Sequence, residues 1–82
     1  YRLASAYNTS NNFLDAKEAA KNCLLIKRNY APAYCELGIA EIGNCNKIAA
    51  EDAFNKAKKD RNYRKFASDY LKNIKFYMKD CK

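Results

Sequence analysis

The chain has 82 residues and a mass of 9.4 kDa, which is the size of one small domain and excludes a two-domain organisation. It carries 16 Lys and Arg against nine Asp and Glu, a formal charge of +7, and it has no His. With 49% hydrophobic residues, two Gly and one Pro, the composition excludes disordered and collagen-like chains. Thirteen Ala, twelve Lys, no Val and a single Thr favour helices over strands, so we expect an all-α domain.

A spacing of 34 residues recurs along the chain. Leu3, Leu37 and Leu71 follow one another at this interval, and Ala16 and Ala50 keep the same spacing. A period of this length is typical of helical-repeat proteins, in which each unit buries its apolar face only against its neighbours. The sequence therefore predicts a helix-turn-helix unit of about 34 residues.

Apolar spacing and turn residues predict about five helices. Pro32 falls in the first turn of the third helix, where its missing N–H costs nothing, and Asn46 is the expected N-cap of the fourth. The fifth carries an apolar arc with lysines on the opposite side, which indicates one buried and one solvated face. We expect these helices over residues 1–9, 13–26, 31–42, 47–59 and 63–79.

This pattern resembles the tetratricopeptide repeat (TPR) family over the whole chain, as two repeats plus a terminal helix. The segment 29–34 reads Asn-Tyr-Ala-Pro-Ala-Tyr, as in that family, and Glu41 departs from the pattern because this position is usually aromatic. The other matching residues are Leu37, Gly38, Ala50, Phe54 and Ala57.

The resemblance implies one α-α superhelical domain over residues 1–82, a helix-turn-helix solenoid. The first repeat would cover about 1–30, the second about 31–62, and a capping helix about 63–82. Because Tyr1 opens directly inside a helical pattern, we expect the chain to be the C-terminal fragment of a longer array.

By the same resemblance, we expect a non-catalytic interaction module or scaffold that holds a peptide or helix of a partner protein. In TPR proteins the ligand lies in a concave groove lined by the first helix of each repeat. The positions of this sequence that would line the groove are Ser5, Asn8, Thr9, Cys35, Ile39, Ile42, Asp69, Asn73 and Phe76.

Two alternatives use other surfaces. Exposed terminal helices would allow self-association with a second copy, and the basic C-terminal helix would attract nucleic acid or an acidic partner. Residues 1–55 hold six basic and six acidic side chains, whereas residues 56–82 hold ten and three, so the whole charge excess is C-terminal. The rings there are Tyr63, Phe66, Tyr70, Phe76 and Tyr77, of which only Phe76 falls clearly off the buried arc, which disfavours nucleic acid.

The sequence contains no recognisable catalytic, cofactor or metal motif. Without His or a Gly-rich phosphate loop, the usual acid-base groups are missing, so we expect no enzyme activity, cofactor or metal site. Spacing alone leaves disulfides between Cys23, Cys35, Cys45 and Cys81 open, but we expect free thiols and a cytoplasmic, reducing location. No apolar run has the length of a membrane span, so we expect no membrane partner.

Overall fold

The computed structural model describes residues 12–79 and Cys81, and these residues form five helices and no strand. The all-α prediction is confirmed for this part of the chain. The longest helix has 14 residues, and none in the described ranges is long and apolar enough to cross a bilayer. The helix expected over 1–9, with Ser5, Asn8 and Thr9, lies outside the described residues. The helices are α1 (Phe13–Ile26), α2 (Ala31–Gly43), α3 (Lys47–Ala57), α4 (Arg64–Lys72) and α5 (Ile74–Tyr77).

Short turns separate the first three helices, and each turn contains one residue with left-handed backbone geometry. These residues are Asn29, with φ 57°, and Cys45, with φ 61°. Asn adopts this geometry more readily than most residues, which suits it to the position after a helix. Pro32 lies in the first turn of α2, as predicted. Because the turns are short, α1, α2 and α3 each pack mainly against their neighbours in the sequence.

Small side chains bring α1, α2 and α3 close together. A side chain at Gly38 of α2 would collide with the ring of Phe54 on α3, and one at Gly43 would collide with the ring of Phe13 on α1. Phe54 is the largest fully buried side chain. The core therefore depends on close helix approach, since most of its other members are small. These include Ala16, Ala20, Ala33, Ala40, Ala50 and Ala57.

The helix predicted over 63–79 is divided at Asn73 into α4 and α5. The side-chain amide of Asn73 donates a hydrogen bond to the carbonyl oxygen of Asp69 at 3.0 Å, and its backbone leaves helical geometry at φ −107° and ψ 16°. Asn side chains that bond to nearby backbone groups compete with the helix in this way. The prediction of one continuous helix is therefore wrong, and α5 is a single turn that buries Ile74.

A disulfide joins Cys45, in the turn before α3, to Cys81 near the C-terminus, with Cα atoms 5.4 Å apart. The expectation of free thiols is therefore wrong for these two residues. Beside the disulfide, Ile74 and Met78 pack against Ala50 of α3, so the C-terminal segment is anchored by apolar contacts as well. Stable disulfides belong mostly to oxidising compartments, which removes the reason for expecting a reducing one.

The carboxylate of Glu41 on α2 is buried, with 3% of the residue exposed. The Nζ of Lys17 on α1 lies 3.3 Å from its Oε2, and the side-chain amide of Asn46 donates to its Oε1 at 3.2 Å. Asn46 occupies the predicted N-cap position of α3, but its side chain makes no capping hydrogen bond to the helix and instead donates to Glu41. The carboxylate links α1, α2 and the turn before α3, and its burial is stable only with these partners.

Reduction of the Cys45–Cys81 disulfide is expected to destabilise the fold. The bond closes a loop with a sequence separation of 36, for which chain entropy alone corresponds to about 4 kcal/mol. Urea unfolding of the oxidised and reduced chain measures the difference, and the Cys45→Ser/Cys81→Ser double variant, which has no such bond, should be insensitive to reductant. Equal midpoints for the oxidised and reduced wild-type chain would contradict this expectation.

Substitutions at the Lys17–Glu41 pair are expected to have unequal effects. Lys17→Met leaves a buried carboxylate with one remaining partner and should cost about 2 kcal/mol, whereas Glu41→Gln should cost about 1 kcal/mol because Lys17, 29% exposed, can turn towards water. The double variant Lys17→Met/Glu41→Gln should lose clearly less stability than the sum of the two single losses, since no charge remains buried. Chemical denaturation of the three variants at neutral pH measures these losses, and strictly additive losses would contradict the expectation.

Candidate interaction surface

Aromatic rings form a continuous stack from the core to the surface at the C-terminal end of the chain. The ring centroids of Phe54 and Tyr70 are 4.8 Å apart, and those of Tyr70 and Tyr77 are 4.9 Å apart. Phe66 packs against Tyr70 at 5.1 Å, and Phe76 meets Tyr77 edge-on at 5.8 Å. Exposure is 0% for Phe54, 44% for Phe66, 46% for Tyr77 and 65% for Phe76. We call Phe66, Tyr70, Phe76 and Tyr77 the aromatic face.

The helices that carry the aromatic face are also basic. The ammonium group of Lys79, just after α5, lies 5.1 Å from the centroid of the Phe76 ring, a cation–π contact. Asp69 is the one acidic residue of α4 and α5. The surface therefore combines exposed rings with an excess of positive charge. The exposed lysines of these helices that form no salt bridge within the described residues are Lys65, Lys72 and Lys75.

The ring of Tyr70 connects the exposed part of the face to the core. Burial raises the pKa of its hydroxyl, and the neighbouring Tyr77 and the carboxylate of Glu36 raise it further. The phenol therefore stays neutral at physiological pH. Because Tyr70 stacks on buried Phe54 on one side and on Tyr77 on the other, it fixes where the outer rings lie.

The predicted groove residues on α2 are used mainly for internal packing. Cys35 is 4% exposed and belongs to the same core cluster as Phe54. Ile39 and Ile42 are partly buried against that cluster, and Ile42 also contacts a second cluster around Ile74. The structure therefore places the side chain of Cys35 out of reach of a ligand and leaves little of the other two available.

Cys35 also lacks the properties of a reactive thiol. Burial raises its pKa from 9.0 to about 12, and the negative charges of Glu36 and Asp60 contribute in the same direction. A cysteine acts as a nucleophile or metal ligand through its thiolate, so this thiol is inert at neutral pH.

The predicted site residues at the C-terminal end are all exposed. Phe76 joins the aromatic face, whereas Asn73 and Asp69 are connected through a hydrogen bond to the Asp69 backbone. Phe66 and Tyr77 were not among the predicted site residues, because a helical wheel drawn for one continuous helix places both on or beside the buried arc. The informative signal was Asn73 itself, an Asn between Lys72 and Ile74 inside a helical pattern.

No protein-family model, curated protein or solved structure matches the chain. The TPR resemblance therefore stays a prediction. Function has to be inferred from the chemistry of the surface, since a helical fold alone is compatible with many functions.

Substitutions along the stack are expected to separate its exposed end from its buried end. Phe76→Ala should change the free energy of unfolding by no more than about 0.5 kcal/mol, because the ring is largely exposed. Tyr70→Ala should cost about 2 kcal/mol, because it removes the ring that packs between Phe54 and Tyr77. Urea denaturation followed by far-UV circular dichroism measures both. A loss of several kcal/mol for Phe76→Ala would show that this ring is packed after all.

Proposed function

We propose that the chain is a non-catalytic protein-interaction module, and that its aromatic face binds an acidic, apolar-containing segment of a partner protein. The observation that supports this most strongly is the stack that begins at buried Phe54 and ends in three exposed rings. Tyr and other aromatic residues provide much of the binding energy in protein interfaces, because each buries a large area with few rotatable bonds.

The outer rings are held in place before any ligand arrives. Tyr77 stacks on Tyr70, and Phe76 is contacted by both Tyr77 and the Lys79 ammonium. Groups that are already ordered lose less conformational entropy on association, so more of their contact energy is available as affinity. The aromatic face thus has the properties of a preformed set of anchors.

Charge complementarity favours an acidic partner. Residues 56–82 carry ten basic and three acidic side chains, and the lysines of α4 and α5 form no salt bridge within the described part of the chain. A segment with Asp or Glu beside large apolar residues would match both the rings and the surrounding charge. This charge distribution favours a binding surface on α4 and α5 over the predicted groove residues of α2.

We further propose that the module belongs to a TPR-like superhelix. The contact between Gly38 and the Phe54 ring joins two positions that carry the resemblance, and α1, α2 and α3 pack in sequence order. The non-catalytic role is supported by the state of Cys35 and Cys45, neither of which offers a free, reactive thiolate. Cys35 is buried and protonated, and Cys45 is held in a disulfide that favours an oxidising compartment.

Peptide display against the oxidised 82-residue chain tests the proposed function. Selected peptides should be rich in Asp, Glu and aromatic or aliphatic residues. The variant Phe76→Ala/Tyr77→Ala should bind them about 30-fold more weakly or worse, because truncating an interface anchor typically costs about 2 kcal/mol. Fluorescence anisotropy with a labelled selected peptide measures the affinities.

The matched control is Leu25→Ala/Ile26→Ala, which removes two apolar side chains that are 83% and 85% exposed on α1. Its affinity should stay within about twofold of wild type, because both residues lie on α1 and outside the aromatic face. Peptides that bind both variants equally would contradict the proposed site. Selection of basic peptides would show that the aromatic face binds another kind of ligand. Concentration-dependent dimerisation that Phe76→Ala/Tyr77→Ala abolishes would show that it binds a second copy of the chain.

A further inference from the structure

A second charged surface lies in the turn between α3 and α4, at the other end of α4 from Phe76. Residues 58–65 contain five basic side chains and one acidic side chain, Asp60. All five basic residues are exposed, and none forms a salt bridge within the described residues. We call Lys58, Lys59, Arg61, Arg64 and Lys65 the basic turn.

Local hydrogen bonds order the backbone of this turn. The backbone N–H of Asn62 donates to the Asp60 carboxylate at 2.8 Å, and that of Tyr63 donates to the Asp60 carbonyl at 3.1 Å. The Nε of Arg64 donates to the carbonyl of Lys58 at 3.4 Å, which spans the turn. The acidic side chain of the segment is thus engaged with the backbone, and it forms no ion pair with a basic neighbour.

We propose that the basic turn binds sulfated polysaccharide. Short segments dense in Lys and Arg are typical of sites for nucleic acids and for heparin, because both polymers present closely spaced anionic groups. Arg and Lys donate charge-assisted hydrogen bonds to such groups, and an ordered backbone displays several of them together. Five cations within eight residues match a polymer with repeated sulfates better than an isolated anion.

Two observations favour the polysaccharide over nucleic acid. The ring within the turn, Tyr63, is partly buried against the core cluster, which makes it less available for stacking a base than an exposed ring, whereas single-stranded nucleic acids rely on such stacking. The Cys45–Cys81 disulfide favours an oxidising compartment, where secreted and cell-surface polyanions occur. Lys65 adjoins both surfaces, but Lys58, Lys59 and Arg61 lie outside the aromatic face, so variants of these three residues test this ligand separately from the acidic protein partner.

Heparin binding by the oxidised 82-residue chain tests the proposal by isothermal titration calorimetry at several salt concentrations. The variant Lys58→Gln/Lys59→Gln/Arg61→Gln removes three charges from the basic turn and keeps the bond from Arg64 to the Lys58 backbone. Its affinity for heparin should fall about tenfold or more, and the dependence of affinity on salt should become shallower, because fewer counterions are released.

The matched control is Lys21→Gln/Arg28→Gln/Lys47→Gln, which removes three exposed positive charges outside the basic turn. It therefore has the same net charge as the turn variant. Its affinity should stay within about threefold of wild type, because these residues lie outside the turn. Far-UV circular dichroism checks that both variants are folded. An equal loss of heparin affinity in both variants would show that only the net charge of the protein matters, and it would overturn the proposal.

Three further outcomes also test the proposal. Tighter binding of a single-stranded oligonucleotide than of heparin, lost in the same turn variant, would make nucleic acid the ligand. Absence of heparin binding at low salt, where such binding is strongest, would overturn the proposal. Loss of heparin binding in Phe76→Ala/Tyr77→Ala would instead show that the two surfaces are one, whereas retention separates this proposal from the protein-binding one.

Discussion

The ring of Phe54 is the contact on which the arrangement of the other elements depends. It is fully buried, it lies against Gly38 of α2, and it stacks on Tyr70 of α4. Phe54 is the largest fully buried side chain among the described residues, and in a core that contains many Ala its burial contributes about 2 to 3 kcal/mol. A larger residue at position 38 would displace the ring and, with it, the partner on which the aromatic face rests.

The aromatic stack continues across the break at Asn73. Tyr70 lies on α4 and Tyr77 on α5, and the chain leaves helical geometry at Asn73 between them. Their ring centroids are 4.9 Å apart, so the stack passes from one helix to the other. Tyr77 thereby extends the contact that begins at Phe54 towards the exposed ring of Phe76.

Much of the fold follows from the sequence because the relevant signals are local. Pro32 marks the start of α2, and the polar turns after α1 and α2 separate three helices whose bounds agree closely with the predicted ones. The interruption at Asn73 was not predicted, because an apolar period continues across it and periodicity cannot detect a competing side-chain hydrogen bond. The disulfide could not be predicted from the sequence either, since pairing of Cys45 with Cys81 depends on tertiary proximity that spacing does not reveal.

The candidate interaction surface was less predictable than the helices, because the exposure of its residues depends on tertiary packing. Cys35 and Ile39 occupy positions that line a groove in the resembling family, but here α4 packs over them and uses their surface for the core. Phe76 was identified correctly as exposed, because its position on the charged side of the helix is a local property. Tyr77 was not, since the apolar period places it on the buried arc, whereas the structure leaves it 46% exposed.

The position of α5 is determined by tertiary contacts and not by its own helical tendency. A helix of four residues is unstable alone, because too few hydrogen bonds compensate the entropy of forming the first turn. Ile74 and Met78 hold it against Ala50, and the disulfide at Cys81 attaches the following segment to the turn before α3. The outer rings are thus supported from two sides, by the stack on Phe54 and by this anchored C-terminal segment. A ligand on Phe76 and Tyr77 would therefore contact a surface whose rigidity comes from both the core and the covalent link.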